Sequence, residues 1–261
     1  MKKPTTMTPP ILILLPGLMC DAAVWAPQTE FLRGRVQCVV PHYGGLDSLA
    51  GMVRQVLAQA PAGRFSLAGH SMGGRVALEV LRLAPERVER LALLDTGYLP
   101  LAGGEAGERE RAGRLALLAL AREQGMRAMG RQWARGMVHP DRLDTPLFES
   151  ILAMLERSSA DQFAAQIQAL LNRPDASALL PTIACPTLVL CGREDTWASV
   201  AQHQALHGAI VAGHPVAQLE IVEHCGHMST MEEPRAVGEA LARWLALPPL
   251  ASRTGAGAEL G

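Results

Sequence analysis

Short apolar runs alternate along the chain with longer stretches in which apolar residues recur at helical spacing. Most of the short runs lack apolar/polar alternation, as expected for strands of a parallel sheet that helices cover on both faces. Six runs are predicted strands: Ile11 to Leu15, Val36 to Val40, Phe65 to Gly69, Val88 to Leu94, Thr187 to Cys191 and Gln218 to Glu223. The main helical stretches between and after them are Ser48 to Ala60, Met72 to Ala84, Ser199 to Ala209 and Pro234 to Ala246. The pattern predicts an α/β fold with a mostly parallel sheet of about six strands.

The alternation stops in the middle of the chain. Between Leu99 and Pro181 strand patterns vanish, and a long stretch rich in Ala, Leu, Met, Arg and Glu takes their place. Two glycines open this stretch and three prolines divide it into short helices. We therefore predict a helical cap at 99–181, inserted into a core made of 1–98 and 182–250. The small and polar residues of 251–261 predict a disordered tail.

Composition and charge limit the partners and the cellular location that we expect. The 261 residues carry a net charge of −1 and no long basic run, so nucleic acid and anionic membranes are not expected partners. Five cysteines lack the paired spacing of a zinc ribbon or a redox dithiol, which predicts free thiols in a reducing compartment. The start of the chain resembles a secretory signal, but its apolar run is short, is broken by Pro16-Gly17 and supplies a strand. We expect a cytoplasmic protein.

The most informative motif is Gly69-His70-Ser71-Met72-Gly73, which lies where an apolar strand gives way to a helix. This order of strand, sharp turn and helix is typical of a nucleophile elbow. Small residues two positions on either side of the serine let the strand and the helix pass closely. Ser71 then lies at a helix N-terminus, where free backbone N–H groups can stabilise an oxyanion. Ser71 is therefore the candidate nucleophile.

A serine nucleophile needs an imidazole to accept its proton and a carboxylate to orient that imidazole. His227 is favoured as the base because its loop follows the last strand and precedes the last helix, with His224 as the nearest rival. Asp195 is favoured as the acid because it gives the chain order serine, acid, histidine, while Asp95 stays open as an alternative.

Three further histidines receive structural assignments. His70 is expected to pack or hydrogen-bond behind the elbow. His203 and His207 are four residues apart, a spacing that can bind a metal on one helix face. Because the sequence shows no third ligand near them, we expect both to be surface residues and predict no metal or organic cofactor.

The oxyanion of an acyl-transfer intermediate needs two backbone N–H donors, each contributing about 3 kcal/mol. The amide of Met72, directly after the nucleophile, is the first candidate. The second is the amide of Leu18, in the loop after the first strand, where Gly17 lets the main chain approach the substrate. A loop that only turns the chain is the alternative for Leu18.

In combination, these motifs resemble the α/β-hydrolase superfamily over nearly the whole chain. Leu14-Leu15-Pro16-Gly17, the serine motif, Gly192-Arg193-Glu194-Asp195 and Gly226-His227-Met228 occur in the family's order, and the residues after His227 are similar to those of single-domain esterases and enol-lactonases. The chain has Pro16-Gly17 where many relatives have His-Gly. It also has no room for two family strands before Ile11, so the resemblance implies a sheet of about six strands.

The resemblance and the residues together predict a serine hydrolase that cleaves small to medium carboxylic esters through an acyl-enzyme. A lactonase, thioesterase or acyltransferase would use the same groups, and a receptor that binds a small ligand without turnover is the alternative from another class. The oligomeric state stays open. Candidate pocket walls are apolar side chains of the cap and around the loop after the first strand. They are Met19, Trp25, Met126, Met129, Trp133, Met137, Phe148 and Trp197. The alternative for most of them is packing in the cap's own core at helical spacing.

No arginine pair near these motifs indicates a phosphorylated or dicarboxylate substrate. Arg75 is expected to face solvent and Arg193 to pair locally.

Overall fold

The computed structural model describes residues 9–213 and 217–249, so the predicted tail at 251–261 lies outside the described residues. Six strands form one sheet in this part of the chain: β1 (Ile11–Leu15), β2 (Gln37–Val39), β3 (Phe65–His70), β4 (Val88–Leu94), β5 (Thr187–Gly192) and β6 (Ala217–Val222). Their order is β2-β1-β3-β4-β5-β6 and every pair is parallel. The predicted α/β fold and its strand number are confirmed.

The helices that the apolar periodicity predicts are present. The α-helices of the described ranges are α1 (Ala26–Phe31), α2 (Leu49–Gln59), α3 (Met72–Leu83), α4 (Gly104–Gln124), α5 (Met126–Ala134), α6 (Pro146–Glu156), α7 (Ala160–Leu171), α8 (Val200–Val211), α9 (Ser229–Glu232) and α10 (Pro234–Leu245). Ser48 caps α2, and Ser199 forms a capping box with Gln202 at the start of α8. The short helices α1 and α9 escape sequence analysis because they hold less than two full turns of periodicity.

The sheet determines where functional groups collect. The central strands β3 and β5 are buried along their whole length, whereas the edge strands β2 and β6 are partly exposed. Because all strands run in the same direction, their carboxyl ends lie along one side of the sheet. Residues that directly follow β3, β4, β5 and β6 therefore face a common region.

Four α-helices, α4 to α7, occupy the chain between β4 and β5. The helices α5, α6 and α7 contribute buried apolar residues of their own, including Met129, Phe148, Ile151 and Phe163. The long helix α4 buries only Gly107, Leu118 and Ala121, so most of its surface stays polar and accessible.

Two further observations bear on the sequence analysis. All five cysteines carry free thiols. Within residues 9–213 and 217–249, no helix combines the length and the apolar character that a bilayer-spanning segment needs.

Candidate active site

Ser71 lies in a strained turn between β3 and α3. Its backbone has φ +54° and ψ −118°, and residues other than glycine rarely adopt a positive φ. A Cβ atom on Gly69 would lie 2.3 Å from the carbonyl oxygen of Gly73, and one on Gly73 would lie 2.2 Å from that of Leu15. Only glycine fits at these two positions, and this is the physical reason for the motif around the serine.

Contacts from β4 and α8 hold the turn in place. The Ser71 amide donates to the Leu94 carbonyl at 2.9 Å, and the Thr96 hydroxyl donates to the Ser71 carbonyl at 2.7 Å. The Thr96 amide in turn donates to Nε2 of His203 at 3.0 Å. The expectation that His203 lies at the surface is wrong, because this ring is fully buried and braces the elbow from behind. His207 is half-buried, with Nε2 3.2 Å from the Ala217 carbonyl oxygen.

The structure brings Ser71, His227 and Asp195 together in one hydrogen-bonded line. Nε2 of His227 lies 2.8 Å from Oγ of Ser71, and its Nδ1 lies 2.8 Å from Oδ2 of Asp195. The other Asp195 oxygen accepts hydrogen bonds from the amides of Trp197 and Ala198, both at 2.9 Å. The carboxylate is therefore anchored on one side and orients the imidazole on the other.

The electrostatics of this pair suit proton transfer. Burial by itself raises the pKa of Asp195, but the facing charge and hydrogen bond of His227 hold the pKa below its ordinary value. Burial by itself lowers the pKa of His227, but the negative charge of Asp195 more than offsets it and raises the pKa above its ordinary value. The imidazolium that forms when His227 accepts a proton is thus stabilised.

Asp95 has a different environment. Its carboxyl group is fully buried and takes hydrogen bonds from the Ser229 hydroxyl and, at 3.2 Å, from the Gly192 amide. Burial and the negative charge of Asp195 raise the pKa of Asp95 well above its ordinary value. Asp195, and not Asp95, lies within hydrogen-bond distance of His227 Nδ1, so the geometry favours Asp195 as the orienting acid.

His70 and His224 are not part of the hydrogen-bonded line of Ser71, His227 and Asp195. His70 is buried, and its Nε2 donates to the His227 carbonyl at 2.8 Å. Burial and the neighbouring His227 lower the pKa of His70 to about 3, so the ring is neutral. His224 is exposed at the end of its loop and lies edge-on to His139.

The loop after β1 carries the Leu18 amide, which the sequence predicts as the second oxyanion donor. Neither the Leu18 amide nor the Met72 amide donates a hydrogen bond within the described part of the chain, so both are available to a ligand. Met19 has φ +62°, and its amide donates to Oε1 of Gln166 at 2.9 Å. Gln166, on α7, thereby holds the loop that carries Leu18. Sequence analysis missed Gln166 because no motif marks it.

A cavity of about 280 Å³ opens above the serine. Its walls include Leu18, Ser71, Trp133, Met137, Trp197 and His227. Trp133 and Trp197 stack with ring centroids 5.4 Å apart, and the Trp197 ring lies 5.1 Å from that of His227. Three predicted wall residues, Trp133, Met137 and Trp197, therefore do line the cavity.

The other predicted wall residues lie elsewhere. Met19, Trp25, Met126, Met129 and Phe148 are not among the described residues that line this cavity. Met19, Trp25, Met129 and Phe148 are buried in the hydrophobic core, and Met126 is partly buried and packs against it. Their apolar character therefore serves packing.

The expectation for Arg75 is wrong as well. Arg75 is partly buried, and its Nη1 donates to the Leu99 carbonyl at 2.8 Å beside two further cavities that continue from the site. Arg193 pairs with the exposed Glu223, in agreement with the expected local pairing.

Taken together, an all-parallel sheet, a serine in a strained strand-to-helix turn, and a histidine and an aspartate hydrogen-bonded in line with it define the class of α/β hydrolases. The model of the alpha/beta hydrolase family matches residues 12–240, and the chain belongs to that family. This membership supports hydrolase activity in general.

Relatives of the chain include esterases and a synthase. It is 30% identical over 247 residues to the pimeloyl-[acyl-carrier protein] methyl ester esterase of Nitrosomonas europaea, covering 88% of this chain and 93% of the relative. It is 26% identical to the 2-succinyl-6-hydroxy-2,4-cyclohexadiene-1-carboxylate synthase of Klebsiella pneumoniae, covering 91% and 94%. Among solved structures, the thermophilic esterase of Thermogutta terrifontis has a TM-score of 0.81 at 25% identity, covering 92% and 90%.

Proposed function

We propose that the protein is a serine hydrolase that cleaves small to medium carboxylic esters through an acyl-enzyme intermediate. The observation that carries the proposal is the 2.8 Å contact on each side of the His227 ring, to Ser71 and to Asp195. The two esterases named above, at 30% and 25% identity, support ester hydrolysis.

In the first half-reaction, Ser71 Oγ attacks the ester carbonyl carbon while His227 Nε2 takes the hydroxyl proton. The carbonyl oxygen becomes an oxyanion, which the amides of Leu18 and Met72 stabilise by hydrogen bonds. The C–O bond to the alcohol then breaks, and His227 delivers its proton to the departing alcohol. Asp195 stabilises the positive imidazole between these two transfers.

In the second half-reaction, water replaces the alcohol. His227 removes a proton from the water as its oxygen attacks the acyl carbon, and the same two amides hold the second oxyanion. Collapse breaks the bond to Ser71 Oγ, which regains its proton from His227, and the carboxylic acid leaves. No step in this cycle needs a metal or an organic cofactor.

The proposal includes the division of the chain into a core (1–98 and 182–250) and a cap (99–181). The cap supplies Trp133 and Met137 to the cavity and Gln166 to the oxyanion loop, so it contributes to specificity and to the site's shape. The cytoplasmic location and the exclusion of nucleic acid and membranes stay predictions of the sequence. Lactones, thioesters and other acyl acceptors would use the same groups.

A panel of p-nitrophenyl esters of increasing acyl length tests the proposal with the purified full chain. We expect steady turnover, a covalent acyl adduct on the Ser71 peptide in rapidly quenched samples, and loss of several orders of magnitude in Ser71→Ala. Ser150→Ala, at an exposed position on α6, is the matched control and should keep wild-type rates. Saturable ligand binding without turnover would instead identify a receptor and overturn the proposal.

A further inference from the structure

Two additional cavities continue from the serine toward the start of the cap. One, of about 130 Å³, has Ser71, His227 and Arg75 in its wall. The next, of about 350 Å³, has Arg75, Arg114 and Arg173 in its wall. Arg114 also lines the cavity above the serine, so these spaces adjoin one another around its side chain. A substrate bound at Ser71 therefore has direct access to a region lined by guanidinium groups.

One carboxylate, that of Glu110, balances this group of arginines. Its two oxygens lie 2.6 and 2.8 Å from Nη1 and Nη2 of Arg173, whose side chain is 8% exposed. The same carboxylate lies 2.9 Å from Nη2 of Arg114. Arg109, on the rim, is paired with Glu105. Three guanidinium groups thus share a single negative charge, although the chain as a whole carries a net charge of −1.

Arg75 is the member of this group without a carboxylate partner among the described residues. Its one hydrogen bond there goes to the Leu99 carbonyl, an oxygen that also accepts a bond from Nε of Arg173 at 3.2 Å. Partial burial and the positive charge of Arg173 lower the pKa of Arg75. A guanidinium has five N–H donors, so most of the donors of Arg75 stay available in a region where a negative charge is favoured.

We propose that the ester substrate carries a carboxylate, and that Arg75 and Arg114 bind it next to the nucleophile. This inference rests on the ester hydrolase function proposed above and names the substrate class for it. Guanidinium groups match carboxylates in geometry and form charge-assisted pairs. Arg75 follows Ser71 by four residues and so lies about one helical turn away. Half-esters of short dicarboxylic acids, such as monomethyl glutarate, are simple substrates of this class. The sequence analysis did not predict them, because Arg75 and Arg114 meet only in the folded chain.

The test compares substrates that differ only in charge. Monomethyl glutarate is paired with methyl 4-carbamoylbutanoate, its uncharged amide counterpart, and 4-acetoxybutanoate with 4-acetoxybutanamide. The first pair places the carboxylate in the acyl part and the second places it in the alcohol part. We expect wild-type kcat/KM to favour the charged member of at least one pair by about 10- to 100-fold, the effect of one charge-assisted hydrogen bond.

Arginine variants show which residues cause the preference for the charged substrate. In Arg75→Gln and in Arg114→Gln the ratio of charged to uncharged kcat/KM should fall toward one, and Arg75→Lys should recover part of it. Arg235→Gln, at an exposed position on α10, is the matched control and should keep the wild-type ratio. Thermal unfolding of each variant identifies any that fail to fold, and inhibition of the wild-type and Arg75→Lys proteins by glutarate supplies a second measure.

The possible results of these assays separate the carboxylate inference from the hydrolase proposal. A wild-type ratio near one in both pairs, together with good turnover of uncharged esters, overturns the carboxylate inference and leaves the hydrolase proposal intact. A strong ratio that persists in both glutamine variants also overturns it, because the carboxylate must then bind elsewhere. Absence of turnover with every ester overturns the hydrolase proposal, and the inference that rests on it.

Discussion

Asp95 and Asp195 are buried carboxyl groups in the same small region, and their pKa values move in opposite directions. Asp195 faces the His227 ring and two backbone amides, so the charged form is stabilised despite burial. Asp95 receives fewer compensating contacts, and the negative charge of Asp195 disfavours a second charge beside it. One carboxyl group is therefore suited to stabilise an imidazolium, whereas burial and the neighbouring charge disfavour the charged form of the other.

Exchanging each acid for its amide tests this division. Asp195→Asn removes the charge and the acceptor that orient His227, and we expect kcat to fall by about 10⁴-fold. Asp95→Asn introduces a neutral group of the same shape where burial already disfavours a negative charge, and we expect kcat to change by less than about tenfold. Ester turnover and circular dichroism of both variants are the measurements. A larger loss in Asp95→Asn would reverse the assignment.

The raised pKa of His227 predicts the pH dependence. His227 acts as a base only when it is neutral, and its pKa lies above the ordinary value of 6.5. The value of kcat/KM should therefore be low in acid and rise with pH through a midpoint above 6.5. In Asp195→Asn the residual activity should rise at a lower pH, because the charge that raises the His227 pKa is gone.

A pH profile of kcat/KM between about pH 5 and 8 makes this measurement. Asp161→Asn, at an exposed position on α7, serves as the control, and its profile should superimpose on that of the wild type. If kcat/KM of Asp195→Asn rises with the same pH midpoint as that of the wild type, a group other than His227 is responsible for that midpoint.

Single residues differ in how far sequence can assign them. Ser71 could be predicted because glycines and a strand-to-helix transition are local in sequence. Asp195 and His227 could be predicted because each lies in the loop that follows a strand of a parallel sheet. His203 and Arg75 were misassigned because helical spacing tells which residues share a face, but not what packs against that face. Gln166 carries no local signal, since its role depends on a loop that lies 147 residues away.

At the scale of secondary structure, β3 and α3 meet so closely at the elbow that only glycine fits at positions 69 and 73. Gly73→Ala would force a Cβ atom against the backbone of Leu15, where no flexible side chain can yield. We expect the free energy of unfolding to fall by about 1–3 kcal/mol. Ester turnover should fall with it, because the strand and the helix must separate and displace Ser71.

Gly208→Ala is the matched control, because Gly208 lies on the exposed side of α8 with no atom near the added methyl group. It should stabilise the protein by about 0.5–1 kcal/mol through helix propensity. Urea unfolding followed by circular dichroism compares the two variants. Equal midpoints would contradict the steric account of the elbow.

The same scale explains what the apolar pattern predicted. Buried strands such as β3 and β5 are mostly apolar and lack regular apolar/polar alternation, and longer helices such as α3 have one apolar face. Both kinds of element are therefore recognisable in the sequence. The helices α1 and α9 are six and four residues long and depend on packing against α10. Elements of that length give no periodicity to recognise.

At the scale of the whole molecule, Glu232 joins the His227 loop to the segment between α5 and α6. Its carboxylate accepts hydrogen bonds from the amides of His139 at 2.7 Å, Gly226 at 3.1 Å and Met228 at 3.0 Å. The His227 amide also donates to the Met137 carbonyl at 2.6 Å. His227, the proposed base, is thereby tied to the segment between α5 and α6 as well as to the sheet.

Glu232→Ala should weaken this connection. Three amides lose their acceptor, and we expect the free energy of unfolding to fall by about 3–5 kcal/mol, with a loss of ester turnover as His227 shifts. Glu233→Ala is the control, because it removes only the half-exposed pair with Arg142 and should cost about 0–1 kcal/mol. Urea unfolding and kcat/KM are the readouts. Similar losses in the two variants would contradict the role of Glu232.

The sequence by itself determined the strand and helix pattern, the parallel α/β class, the elbow around Ser71 and the candidate partners His227 and Asp195. These features are encoded locally, in apolar periodicity and in the residues that follow each strand. Only the tertiary structure decided which apolar side chains line the cavity, that His203 and Gln166 brace the site, and that Arg75, Arg114 and Arg173 meet around one carboxylate. These contacts join residues far apart in the chain, so they form only when helices and loops from separate parts of the sequence pack together around the site.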